Sequence, residues 1–428
     1  MPTWIVAHSE QLCNFLIPIL LNFSSAQQRH VLNVIEALLV GSVKYKTLSA
    51  LTRLLQVEHA DQFALADFFR VSPWSATAVR QALTQAVLKT VVTLQARVGW
   101  RLLFLRIDDS LCPKDVATHA LEAVSLHYDH VVPRRQTFSY TNASRYVTLG
   151  LQLGPIHFTL TWRLYLKRSQ VQRLNRSRQQ AHQALLIYYP LRVLVEQMLD
   201  EVAPQLPSGC TVYVLFDAWY GSHQLFNFIR AHGWQWICAA KSNRRLSDYH
   251  LAEWWFHLGH QPLERVTTRS TKGSHTYLTR HVVGRLPRYP DPVIALLSKR
   301  HRRDAHAAYF LCSNTHLSVR CIVKYYGYRW QTEVDNWFLK ERLGLADYRL
   351  HSLDAIQHWH TLVFAAFVFL QAQRVAPLLH RSKAPLASLS EVLAEHQRGH
   401  AEQTIQHIAH LVRTGISDDE LITMLLPT

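Results

Sequence analysis

The stretch "WRLLFLRIDDS", Trp100–Ser110, marks a change of character in the chain. Leu102 to Ile107 is short and nearly all apolar, as expected of a strand buried within a sheet. It runs into Asp108, Asp109 and Ser110. A second run of this kind, "TVYVLFDAWYGS", predicts another buried strand that ends at Asp217. Between them, "RYVTLGLQLGPIHFTLTWRLYL" reads as two strands around Gly154-Pro155, a hairpin signal. A long helix is expected over roughly Ser177 to Val202, then a capped helix in "SHQLFNFIRAHG" and a strand in "WQWICAAKSN". Strand, hairpin, helix, strand, helix, strand is the order of an α/β layer with a mixed sheet.

The flanks differ. Residues 1–98 read as helices, among them "SSAQQRHVLNVIEALLVG" with a Ser cap and a closing Gly, and "SPWSATAVRQALTQAVLKTVV". This helical part serves either DNA binding or structure alone; no helix-turn-helix pattern stands out. Residues 244–310 read as short, Arg-rich strands, and "AAYFLCSN" as one more strand. The longest apolar run, "TLVFAAFVFL" (Thr361–Leu370), is about half of the ~20 residues a membrane span needs. It is expected to be a buried core helix, with further helix over 376–428.

The chain has 428 residues and a net charge of +16, with 48% hydrophobic and 18% charged residues. That is a packed, multidomain protein with an excess of positive charge suited to a polyanion. From His130 to Val195 there are ten Lys or Arg and no Asp or Glu. Within it, Arg163, Lys167 and Arg168 are expected to contact DNA phosphates. Cys13, Cys112, Cys210, Cys238, Cys312 and Cys321 are scattered without a CxxC pair, as in a reducing cytoplasm. No signal peptide is expected. There is no HExxH, no GxxxxGK[ST] and no GxSxG, so zinc hydrolysis, ATP-driven chemistry and serine nucleophiles are disfavoured.

"YYGYRWQTEVDNWFLKERLGLADYRLHS", Tyr325–Ser352, is expected to begin a helix near Ser318 that ends at Gly344, although Gly327 weakens it. At about 100° per residue, Tyr326, Arg329, Glu333 and Lys340 fall within about 60° of one another. Trp337 shares that stripe, so the stripe is not expected to be simply solvated. Asp109 and Asp217 at strand ends, joined by Glu333, form a candidate set of hard oxygen ligands for two Mg²⁺ or Mn²⁺ ions. Asp108 competes with Asp109 for the first position.

Tyr326-x2-Arg329-x3-Glu333-x6-Lys340 resembles, position for position, the Y-R-E-K signature of bacterial DDE transposases of the insertion sequence four superfamily. "IDDS" with Pro113-Lys114 and "VLFDAWY" are similar to the segments around that family's first and second Asp. The sequence most resembles the insertion sequence seven-hundred-one group. The resemblance implies an RNase H-like core over 99–243 and 311–375, interrupted by a basic β-rich insertion over 244–310. It also implies catalysis and metal binding by Asp109, Asp217 and Glu333, and DNA contacts from Tyr326, Arg329 and Lys340. The implied activity is cleavage at terminal inverted repeats and joining of the freed 3′ ends to target DNA, by a homodimer on DNA. Trp254 and Trp255 are weighed as a stacking platform for a flipped base against simple packing of the insertion. A nuclease without strand transfer, and a non-catalytic DNA-binding protein derived from a transposase, are the rival readings.

Overall fold

The computed structural model describes residues 5, 7–42, 44–55, 62–128, 140–270, 273–380, 385–417 and 419–420. Residues 130–139 of the basic run, and 381–384, 418 and 421–428 of the C-terminal region, lie outside the described residues.

Five helices open the chain: α1 (Glu10–Leu20), α2 (Ser25–Val40), α3 (Leu48–Thr52), α4 (Gln62–Arg70) and α5 (Ala76–Val98). Ser24 caps α2 in a capping box with Gln27, satisfying amide groups that the first turn leaves open. Ser75 caps α5, three residues later than the Ser72-Pro73 start suggests. The strands β1 (Leu102–Pro113), β2 (Ser125–Tyr128), β3 (Tyr140–Leu153) and β4 (Ile156–Tyr165) follow. Gly154 turns the β3–β4 hairpin at φ 58°, a left-handed conformation that costs glycine little.

The single long helix expected over Ser177–Val202 is instead two, α6 (Arg168–Gln180) and α7 (Leu191–Val202). Pro190 supplies no N–H and stands just before α7, where a proline is tolerated, so the helical turn cannot run on through it. Next come β5 (Thr211–Phe216), α8 (His223–Ala231), β6 (Gln235–Ala240), β7 (Arg245–Leu246), β8 (Tyr249–His250), α9 (Leu251–His257), β9 (Glu264–Ser270), β10 (Gly273–Arg285), β11 (Pro292–Lys299) and β12 (Ala308–Cys312). The chain then forms α10 (Val319–Gly327), α11 (Trp330–Glu341), α12 (Leu353–Leu379) and α13 (Leu389–Arg413).

The large sheet runs β2-β3-β1-β5-β6-β12-β11-β10-β9, with β4 also on β3. β1, β5 and β6 are parallel, whereas β3 is antiparallel to β1 and β4 to β3. The five strands β4-β3-β1-β5-β6 thus stand in the spatial order third, second, first, fourth, fifth of an RNase H-like core. The strands of 264–299 do not form a separate sheet: β9, β10 and β11 extend the same sheet through β12. The segment also holds the helix α9, which the strand reading of 244–310 omits.

α12 is the hub of the helical layer. It is long and apolar enough to cross a membrane, but most of it is buried inside the protein. α2, α4, α5 and α13 pack on it, and so do β4 and α11. The expected core helix around Thr361–Leu370 is therefore present and longer than the apolar run. His358 ties this layer together, its ring nitrogens lying 2.9 Å from the Phe69 carbonyl and 3.1 Å from the Trp74 carbonyl.

Candidate active site on one face of the central strand

β1 does not stop before its two aspartates. It pairs with β3 without a break from Leu103↔Leu153 to Pro113↔Ala143. Asp108 and Asp109 therefore lie within a strand, and successive side chains point to opposite faces. The expectation that Asp109 follows the strand end is overturned. The polar residues look like an ending in sequence, but the antiparallel ladder with β3 carries the strand past them.

The parallel register of β1 on β5 runs from Leu102↔Thr211 to Arg106↔Leu215. Carried two residues further, it sets Asp108 level with Asp217, on the same face. Other residues of that phase turn to α10 and α11. Phe104 packs on Tyr325 and Tyr328, Arg106 meets Asp335, and Ser110 meets Lys340.

Arg329 joins the carboxylates. Its guanidinium donates to Asp108 Oδ2 at 2.6 Å and to Glu333 Oε1 at 2.6 Å. Lys340 Nζ donates to Ser110 Oγ at 3.1 Å. Asp108, Arg329, Glu333 and Lys340 thus gather along one face, and Asp217 lies near enough to feel the charges of both Asp109 and Arg329. Asp109 faces the other way, accepting from Arg145 Nε and Tyr220 OH, each at 2.7 Å.

The helix that carries Glu333 is interrupted. At the junction of α10 and α11, bonds such as Arg329 N–H to Tyr326 O (3.0 Å) and Thr332 N–H to Arg329 O (2.9 Å) span three residues instead of four. This tightened turn, beside Gly327, rotates Tyr326 away from the ideal stripe. Tyr326 packs on Phe310, with its ring 5.8 Å from the Arg329 guanidinium. Trp337 is 48% exposed, so the stripe's flank is more open than the sequence suggests.

A buried charge pair fixes α11 on β1. Arg106 is fully buried and meets Asp335 at 3.4 Å, while Gln331 donates to Asp335 at 3.0 Å. A Cβ on Gly150 would come within 2.8 Å of the Arg106 guanidinium, so glycine opposite Arg106 is what leaves room for it.

Burial lifts the Asp108 carboxyl to about 7 against the pull of Arg329, and Asp109 and Asp217 add to the rise. Burial also raises Asp217, although the Trp219 N–H bonded to its carboxylate works the other way. Burial opposes the charge on Arg329, but Asp108, Tyr326 and Glu333 outweigh it and raise its pKa. Burial pushes Tyr326 up to about 12, so it stays a neutral hydrogen-bond donor.

These are hard oxygen donors with more negative charge than one guanidinium balances, which suits a divalent cation. Among the described residues, no three His, Cys, Asp or Glu side chains converge as a finished metal site. Arg329 instead lies between Asp108 and Glu333.

A family model described as DDE superfamily endonuclease matches residues 19–282. The chain belongs to this family. The match covers Asp108, Asp109 and Asp217 in this DDE endonuclease, and ends before α11. A comparison with curated proteins finds no match.

The remaining expected contacts are scattered over the DDE endonuclease. Arg163 is held by Glu201 from α7, an acid just outside the acid-free run, and by the Trp162 carbonyl. Arg163 is thus engaged within the chain. Lys167 donates to the Leu126 carbonyl at the start of α6. Arg168 is exposed, as are Arg173 and Arg176 on the same helix, and Arg168 lies 5.0 Å over the Tyr188 ring. Trp254 donates to the Leu246 carbonyl at 3.2 Å and packs against the core. Trp255 is flanked by Lys299 at 4.5 Å and Arg280 at 5.0 Å. Trp254 thus packs in the segment, whereas Trp255 lies between two cations. The sequence reading did not single out Arg106, Arg145 or Asp335. The one available signal was an arginine inside an otherwise apolar strand.

Proposed function

We propose that the protein is a DNA transposase. It binds the terminal inverted repeats of its insertion sequence, cleaves them, and joins the 3′ ends to target DNA in a cut-and-paste reaction. The observation that carries this reading is the single face shared by Asp108, Asp217 and Glu333, with Arg329 between two of them. The first carboxylate of the set is then Asp108 rather than Asp109.

Asp108, Asp217 and Glu333 would hold two Mg²⁺ ions, or Mn²⁺ in their place. Such ions activate the attacking oxygen and offset charge on the leaving oxygen in in-line phosphodiester attack. The chain's own residues do the rest. Arg329 balances the carboxylates in free protein and turns to the phosphate as DNA enters. Lys340 holds phosphate as a point charge, and neutral Tyr326 donates to the backbone. Arg168, Arg173 and Arg176 on α6 make salt-sensitive phosphate contacts, with Lys167 at the helix start. Asp109, tied to Arg145 and Tyr220, orients the strand from behind. Assembly on paired ends makes the working form a homodimer on DNA, without ATP, in the bacterial cytoplasm. Kinship with the insertion sequence four superfamily rests on the Y-R-E-K spacing.

The test is Mg²⁺-dependent cleavage of DNA carrying the inverted repeats that flank the gene. The wild type should cut at the repeat tips, and Asp108→Asn and Glu333→Gln should bind without cutting. Equal cutting by wild type and Glu333→Gln removes Glu333 from the site. Cutting without end joining favours a nuclease, and binding without cutting favours a DNA-binding protein.

A further inference from the structure

Beyond β6 the sheet continues through β12, β11 and β10 to β9, and this far part carries a groove that the carboxylate site does not use. The groove encloses about 430 Å³, and its lining includes Arg265, Ser274, His275, Thr276, Arg300 and Arg302.

Strand register builds its floor. β9 and β10 set Arg265 opposite Leu278 and Thr267 opposite Thr276, so these side chains share one face of the pleat. The two threonine hydroxyls lie 3.0 Å apart. Val266, between them in sequence, turns to the other face and joins an apolar cluster with Val319 and Ile322 of α10. The turn between β11 and β12 forms the wall. Asp304 folds that turn by accepting the N–H groups of Arg300 and His301 at 2.9 and 2.8 Å. The Arg300 guanidinium lies 3.2 Å from His275 Nδ1.

Charge indicates what the groove holds. The acids between residues 264 and 304 are Glu264, Asp291 and Asp304. Asp291 pairs with Arg230, and Asp304 is engaged in the turn. Glu264 precedes Arg265 by one residue and so belongs to the opposite face. Arg265, Arg300 and Arg302 are exposed. Guanidinium groups with hydroxyls between them suit a row of phosphates. Among the described residues the lining has no Trp, Tyr or Phe, and so no platform on which unpaired bases would stack. Contacts of this kind hold a duplex by its backbone and do not read its sequence.

Place in the sheet narrows the choice of duplex. β12 begins beside the end of β6, with Tyr309 opposite Ala240, so the turn stands at the end of the sheet where β5 reaches Asp217. From β5 to β10 is four strand steps, about 19 Å at about 4.8 Å each. One duplex that crosses the carboxylates spans that distance in about six base pairs. A terminal repeat must be told from other DNA, whereas a target need only be held.

We propose that this groove holds the target duplex by its phosphates, about six base pairs from the point of joining. This rests on the strand-joining reading above and gives the target a place of its own on the molecule.

The experiment compares wild type, Arg300→Gln/Arg302→Gln and Arg300→Lys/Arg302→Lys. Three readings are taken: cleavage of DNA carrying the repeats that flank the gene, joining of precut repeat ends into a plasmid, and fluorescence anisotropy with a labelled duplex of unrelated sequence. The glutamine pair should cut as wild type does, yet join at least about fivefold less and bind the unrelated duplex at least about fivefold more weakly. Its log–log salt slope should be smaller by about 2. The lysine pair, which keeps the charge, should retain most of the joining and binding. Should the glutamine pair melt early, Arg265→Gln is read in the same way. Unchanged joining and duplex binding by the glutamine pair overturn the proposal while leaving the cleavage reading intact. Cutting that falls along with joining also overturns it, and assigns the groove to the repeat ends. Wild type that cuts without joining, or does neither, fails the parent reading, and the target assignment falls with it.

Discussion

The two faces of β1 carry neighbouring aspartates with different partners. On one face lies Asp108, which the β1–β5 register carried two residues further sets level with Asp217, under a helix that brings Arg329, Glu333 and Lys340. On the other Asp109 is locked by Arg145 and Tyr220. Both are carboxylates on one strand, one residue apart, and nothing in their chemistry separates them. The pleat separates them: a shift of one residue reverses which face a side chain meets. Where an active site lies on a strand, its phase matters more than its composition.

The sharpest way to break this comparison is to neutralise each aspartate in turn. Asp108→Asn should abolish detectable Mg²⁺-dependent DNA cleavage. Asp109→Asn, which loosens a supporting contact, should lower it by about 10–100-fold. If the order is reversed in a cleavage assay, the face assignment is wrong.

The next largest effect concerns the pair beneath the carboxylates. Arg106→Met leaves buried Asp335 without its direct ion-pair partner, with Gln331 still donating to it, and should cost about 3–5 kcal/mol in urea unfolding. Adding Asp335→Leu should recover much of that loss, because a buried ion pair is often no better than packed apolar side chains. Activity is expected to stay low in the double variant, since α11 then lacks its polar lock on β1.

A third outcome depends on pH. The folded Asp108 has its pKa raised to about 7, above the ordinary value of 3.8. Its contribution to stability is therefore full below about pH 4 and is lost as pH rises through 7. In EDTA, wild type should lose up to about 4 kcal/mol between pH 4 and 8 from this group. Asp108→Asn should remove that slope, as read from urea midpoints across the range.

The smallest effect is at Gly150. Gly150→Ala pushes a methyl group to within 2.8 Å of the Arg106 guanidinium. A destabilisation of about 1–3 kcal/mol is expected, as for overpacking in a core, and thermal melting measures it.

Much of this fold was legible because local chemistry agreed with the final structure. Apolar runs marked β1 and β5, Gly154-Pro155 marked the hairpin, and Ser318 and Ser222 capped their helices as expected. Features set by distant partners were hidden. β3 extends β1 through two aspartates, and that ladder has no local signature. Glu201 on α7 reaches Arg163 on β4. For the site, the Y-R-E-K spacing brought Arg329, Glu333 and Lys340 forward, whereas the different partners of Asp108 and Asp109 needed the strand phase and the helix across it.

The placement of α12 has a consequence for synthesis. Phe69 and Trp74 meet His358 only after nearly three hundred further residues have been made. At about 5–20 residues per second, the first helices wait roughly 15–60 s for the helix that covers their apolar faces. Until then the apolar faces that α12 covers stay open, although β4, made earlier, already meets α5. A ribosome that stalls before residue 353 leaves a chain whose two strand aspartates are already made but whose first helices have only one another and β4 to pack on.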